Sequence, residues 1–353
     1  MKPEMNHSLS RKFTGLLLAS AMAAAFPTAA LAGGGLEAVK QYMEEHATRM
    51  LEGSRKMSRA AEEYYEVAQE HHFKYPSLWN KYRQQIIGWT EEMKKAWLAS
   101  SNSYEVMEGI VAGIPSLAKY DLILDAGNPG TEKEDVAPYD LTLPDGKVLK
   151  RPGNLFHHLL EPALWGTRKE FVAMEADLNG NGKIELGEVL PKADLIHAFA
   201  KTHTEWTEKM LKDIQAWRPN QDDLFTAMVT MVPTVGDYFQ EWKESKFITD
   251  AIPMFVAQSR LLDVKGIMRG TKVMYFEAAS EKVAKVDPAL DKQIRADFLE
   301  LLEFVDDIYM QEKAGAKFKP EQVDALGSEV QDIADRIVAR LTQAASKLKV
   351  KLG

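Results

Sequence analysis

From Leu36 to Val67 apolar residues return every seven positions: Leu36, Met43, Met50, Met57 and Tyr64, with Val39, Ala60 and Val67 on the adjoining row. Two turns of an α-helix consume about 7.2 residues, so this step keeps one face apolar along many turns and is incompatible with strand alternation. The spacing predicts one long amphipathic helix to about Phe73, where His71, His72 and Tyr75-Pro76 close it. Methionine at such positions fills a core rather than holding copper. His46 lies on the same buried row and reads as a core or interface residue. A stripe of this length needs other helices to cover it.

The rest of the chain supplies them. Further helices are expected from Trp79 to Val111 and over about 185–217, 220–244, 248–285, 288–313 and 320–349. Asp287-Pro288 and Pro320 open the last two. The loops between the later helices are short, as antiparallel bundles require. Residues 113–153 differ: Gly127, Pro129, Gly130, Pro138, Pro144 and Gly146 break helix, and Leu141 to Leu149 reads as a small hairpin turning at Asp145-Gly146. Long connections of this kind tend to border sites. Arg218-Pro219-Asn220 marks a break that divides the chain into 33–218 and 219–353. Beyond the hairpin the sequence offers no strand, no glycine-rich phosphate loop and no Ser or Cys nucleophile signature, so the fold class is all-α.

The first 32 residues read as a secretory signal peptide. Arg11 and Lys12 precede an apolar run from Phe13 to Ala25, and Ala30-Leu31-Ala32 before Gly33 is a small-x-small cleavage signal. The expected product is a periplasmic or otherwise exported protein without membrane insertion, since no later stretch approaches a membrane span. Removal of Lys2, Glu4, Arg11 and Lys12 takes the formal charge from −8 to −10. That acidic balance argues against nucleic acid and for metal ions as partners. With no cysteine in the chain, any metal site must use His and carboxylates.

Two stretches offer such ligands. Asp177, Asn179, Asn181, Lys183, Glu185 and Glu188 fill the oxygen-donor positions of a twelve-residue calcium loop, Lys183 through its carbonyl, with Gly182 at the turn and Ile184 as the apolar anchor. The pattern predicts an EF-hand followed by a helix from 185. Amides at its third and fifth positions predict weak affinity, on the order of 10⁻⁵–10⁻³ M. No second loop of this kind is visible, although EF-hands commonly pair. Just upstream, His158 and Glu161 stand at i and i+3 on a predicted helix, with His157 and Glu161 at i and i+4 as the alternative pair. Glu105 and Glu108 lie one turn apart on the second helix; two acids so placed are by default a solvated face.

Phe156-His157-His158-Leu-Leu-Glu161-Pro-Ala-Leu-Trp165-Gly166 resembles the G-F-H-x-x-E-x-x-L-W-G segment of the imelysin-like family, which includes the EfeO-type periplasmic iron-uptake components. Tyr104-Glu105-Val-Met-Glu108 is similar to the family's Y-E-x-x-E helix. Ala257 to Ile267 and Asp287 to Asp291 look like the matching region of its second half. The resemblance spans roughly 36–310. It implies two antiparallel four-helix bundles related by a pseudo-twofold, with Glu105, Glu108, His158 and Glu161 gathered between them around iron or another divalent transition metal. A further acid is implied at Asp121 or Asp125. His157 stands where the family usually has Phe, which leaves open which imidazole faces inward, and the calcium loop looks like an insertion. The implied function is periplasmic metal acquisition or sensing, with a membrane permease or periplasmic peroxidase as partners. Two alternatives stand beside it. Imelysin-like proteins have been classed as zinc peptidases, although no H-E-x-x-H occurs here. A calcium-dependent interaction or polysaccharide-binding module is the other.

Overall fold

A computed structural model describes residues 35–131 and 135–353; the expected signal peptide lies outside the described residues. The apolar stripe becomes α1 (Leu36–Glu70), with Met43, Met50, Met57 and Tyr64 all buried. It packs along α2 (Tyr75–Val111), which is kinked at Tyr82, and along α5 (Ala193–Ala216). Between α2 and α5 run a short α3 (Lys119–Leu124), the hairpin β1 (Asp140–Thr142) and β2 (Val148–Lys150), and the motif segment ending in α4 (Glu161–Trp165). The hairpin pairs Leu141 with Leu149, as its turn residues predict. With a helical content of 70%, the chain is all-α.

After the break at 218–220 come α6 (Gln221–Met231), α7 (Val235–Glu244), α8 (Arg260–Val273), α9 (Ser280–Val286), α10 (Pro288–Lys313) and α11 (Pro320–Leu348). Pro233, in a tight turn of helix, separates α6 from α7 within the stretch expected to be one helix. The long contact between α2 and α8 positions the site, and it is tight because of glycine. A β-carbon on Gly109 would lie 2.8 Å from the Ile267 carbonyl oxygen, and one on Gly270 2.8 Å from that of Val106. Only hydrogen in both places lets the two backbones approach this closely.

Two expected helices start later than the sequence reading has them. The helix expected from 185 begins at Ala193, because Val189–Pro191 forms a strand, β4, antiparallel to β3 (Val172–Glu175). The calcium-type loop therefore joins two strands instead of two helices. The helix expected from 248 begins at Arg260. Asp250 and Phe255 both hold φ 54°, a left-handed conformation that no helix accommodates, and Pro253 lies between them. The irregular stretch they form covers the motif segment.

Candidate functional site

Asn154 begins the motif segment by accepting from the backbone N–H groups of His157 (2.7 Å) and His158 (3.2 Å). The turn that follows, Leu155–Leu160, is a π-helix, in which the Glu161 N–H donates to the Phe156 carbonyl five residues back. Pro162 has no N–H with which to meet the His158 carbonyl, and the Arg168 guanidinium donates to that oxygen instead, at 3.2 Å. A widened turn of this kind is often found at functional sites. It also decides which imidazole faces inward.

His157 is the inward one. Its Nδ1 lies 2.9 Å from Glu161 Oε2 and its Nε2 3.1 Å from Asp125 Oδ1, and it is 2% exposed. The His158 ring lies over Gly153, where a β-carbon would be 2.8 Å from it, and its Nδ1 meets the Asn154 amide at 2.8 Å. His158 lines the edge of the same cavity but is not among the clustered donors. Glu161 is fully buried and acts as an acceptor. Its Oε1 takes the N–H groups of Val256 and Ala257, each at 2.8 Å, and its Oε2 takes that of Phe255 at 3.0 Å as well as the imidazole. A carboxylate so occupied orients His157 and pins the covering segment, and has no lone pair left over for a metal.

Facing His157 are acids from three helices. Glu105 and Glu108 extend from α2, Asp121 and Asp125 from α3 and its C-terminal end, and Asp263 from α8 beside the buried Arg260. Glu105, Asp125 and His157 present ligand atoms within 4.8 Å of one another, as do Glu108, Asp121 and Asp125. Glu105, Glu108 and Asp125 are each at most 4% exposed. Glu105 Oε2 and Glu108 Oε2 are buried without a hydrogen-bond partner, and Asp125 Oδ1 and His157 Nε2 are buried facing each other at 3.1 Å. Polar atoms left so in a core cost free energy unless something binds them, and a cation suits this donor set.

The electrostatics say the same. Burial, reinforced by Asp263 and Asp125, pushes the Glu105 carboxyl well above the usual range, and burial with Asp125 and Asp121 does so for Glu108. Burial, then Asp125, lifts Asp121 to about 7. Burial would strip His157 of its charge, but Asp125 and Glu161 outweigh it and raise its pKa to about 10. Burial opposes the Arg260 charge too, and Glu241, Glu105 and Asp263 override it. Protons, one imidazolium and one guanidinium thus balance carboxylates that a metal would hold ionised. Glu108, Asp125, His157 and Arg260 line a cavity of about 200 Å³, and Phe255 closes one side with its ring 4.5 Å from His157 and 4.4 Å from the Arg260 guanidinium carbon.

The calcium-type loop lies elsewhere and is folded around its own side chains. Asp177 accepts from the N–H groups of Gly180, Asn181 and Gly182, and those bonds hold its carboxyl below the usual range. Asn179 Oδ1 takes the Asn181 N–H and Asn181 Oδ1 that of Lys183. Glu188, 6% exposed, takes those of Leu178, Asn179 and Glu185. Both loop amides also reach Glu185 Oε2 at 3.4 Å, which draws three of the predicted ligand side chains together. Ile184, read as an apolar anchor, is 49% exposed. The loop meets the motif helix through the Gly187 N–H, which donates to the Trp165 carbonyl at 3.0 Å.

Of the residues expected at a transition-metal site, Glu105 and Glu108 converge with His157, while His158 and Glu161 stand behind it. The sequence reading left Asp121 and Asp125 as alternatives, and both are present. Arg260 and Asp263 fall in the block that resembles the family's second half, though without a role assigned to them, and Tyr238 has no signal in the sequence. No curated protein matches the chain. The family model described as Imelysin, peptidase M75, matches residues 38–341. That match takes in α2, the motif segment and α8 together, and the chain belongs to the imelysin family.

Proposed function

We propose that this is an exported metal-binding protein that takes up a transition metal at Glu105, Asp125 and His157, in periplasmic iron acquisition or sensing of the EfeO type. The carrying observation is the convergence of buried ligand atoms on those three side chains, with Glu105 Oε2 lacking a hydrogen-bond partner. One imidazole with carboxylates and no thiolate suits iron(II), zinc or manganese. Glu161 fixes the His157 ring through Nδ1, so that Nε2, which faces Asp125 at 3.1 Å, would take the metal on giving up its proton. The peptidase reading draws on the family's description alone. A cavity of about 200 Å³ admits an ion and a few waters more readily than a peptide segment.

The loop from Asp177 to Glu188 we read as a calcium site, EF-hand-like in its ligands and set between strands. It supports the motif helix through Trp165.

Calorimetry on chelator-treated protein tests the transition-metal site. His157→Ala is expected to weaken zinc and iron(II) binding by at least about 100-fold, and His158→Ala by less than about tenfold. Equal losses in the two variants, or none in His157→Ala, would remove the proposal. Casein hydrolysis that appears with zinc and disappears in His157→Ala would replace it with the peptidase reading.

A further inference from the structure

The irregular stretch before α8 walls two cavities. Met254 and Phe255 line the one at the imidazole, whereas Ala257, Gln258 and Ser259 line another of about 600 Å³, bounded also by the turn after α7 and the end of α10. We propose that this second cavity binds a small organic anion, a carboxylate carried on an apolar or aromatic body.

Sites for small molecules measure about 300–1,000 Å³ and combine apolar walls with a few placed polar groups. Here Phe247, Leu262, Tyr309 and Phe318, all half-buried, make the apolar wall. Phe318 is held in place, with its ring 5.2 Å from that of Trp242 and edge-on to it. The Trp242 indole N–H in turn donates to Glu312 Oε1 at 2.7 Å, which engages the one acid of the lining.

The charge of the lining is positive in a chain whose formal charge is −8. Lys246, Lys313 and Lys317 all border the cavity, and among the described residues no carboxylate pairs with any of them. Lys246 and Lys313 lie over aromatic rings instead, 5.4 Å from the centre of Phe247 and 6.0 Å from that of Tyr309. Their neighbours differ: Lys243 pairs with Asp324 and Lys265 with Asp306. Desolvation lowers the pKa of Lys246, although Glu161 and Asp250 favour its charged form. An anion in the cavity would supply the missing counter-charge, and its body would take the rings out of water. A bare inorganic anion meets only the lysines and a neutral hydrocarbon only the rings.

Naphthoate is a suitable probe, titrated by calorimetry into chelator-treated full-length exported protein so that the outcome does not depend on the metal site. One molecule should bind per chain, more tightly than naphthylmethanol, which lacks the charge, or inorganic phosphate, which lacks the rings. Exposed charge pairs contribute modestly, so Lys246→Gln, Lys313→Gln and Lys317→Gln combined should weaken naphthoate by about tenfold and leave naphthylmethanol unchanged. Ala316→Trp, at an exposed residue of the lining, should fill the cavity and abolish binding. Both variants alter exposed residues and should melt with the unmutated protein. Naphthoate affinity that matches naphthylmethanol, or that survives the three lysine substitutions, overturns the anion. Phosphate binding as tight as naphthoate overturns the apolar body. Naphthoate that never saturates, or that binds equally well to Ala316→Trp, overturns the site and leaves the metal reading untouched.

Discussion

Two histidines of this chain are buried in opposite electrostatic settings. His157 is held between carboxylates and stays charged. His203, fully buried on α5, has the hydroxyl of Ser54 at 2.7 Å and the edge of the Phe156 ring for neighbours, and burial lowers its pKa to about 3. An unfolded imidazole takes up its proton near pH 6.5, so between pH 6.5 and 3 the unfolded chain binds a proton that the folded one refuses. Stability falls as the pH falls through that window, by about 1.4 kcal/mol per unit for this group. Urea denaturation at pH 7 and pH 5 should therefore show His203→Gln losing about 2 kcal/mol less than the unmutated protein on acidification. Equal losses would mean that His203 is protonated in the folded state. The contrast with His157 was only half legible in the sequence. Periodicity assigns a His on an apolar row to the core, but it could not choose between two adjacent imidazoles. Under α-helical spacing His158 and Glu161 share a face at i, i+3. The π-turn that Pro162 helps to enforce moves His157 onto the Glu161 side instead.

At the scale of elements, helix existence was legible and the interruptions were not. The seven-residue stripe, the Pro-opened helices α10 and α11 and the Asp145-Gly146 hairpin all follow from local rules. The irregular stretch before Arg260 does not, because its stability comes from a carboxylate about ninety residues away in the chain. The α2–α8 contact had a signal that went unread: Gly109 on one helix and, on the other, Gly266 and Gly270, four apart. Gly270→Ala should cost about 1–3 kcal/mol, since the new methyl meets backbone and the helices must separate. Thermal melts would show the loss, and an unchanged melting temperature would contradict the close approach.

On the scale of the whole molecule, the described residues form a single compact unit. Among the described residues no helix is long and apolar enough to cross a membrane. The calcium-type loop is tied to this unit by the Gly187–Trp165 hydrogen bond and by Arg83, which donates to the Asp177 carbonyl at 3.0 Å. Ion binding there should therefore stabilise the whole fold. At calcium concentrations about 100 times the dissociation constant the gain is about 2.7 kcal/mol. The melting temperature should rise by several degrees in calcium and by none in Glu188→Gln. A rise that persists in that variant would place the calcium elsewhere.

The Glu161 carboxylate joins the imidazole to the strip of backbone that walls off the cavity. The proposed ligand and the wall of its cavity consequently share one fastening, so a change at either is expected to be felt at the other.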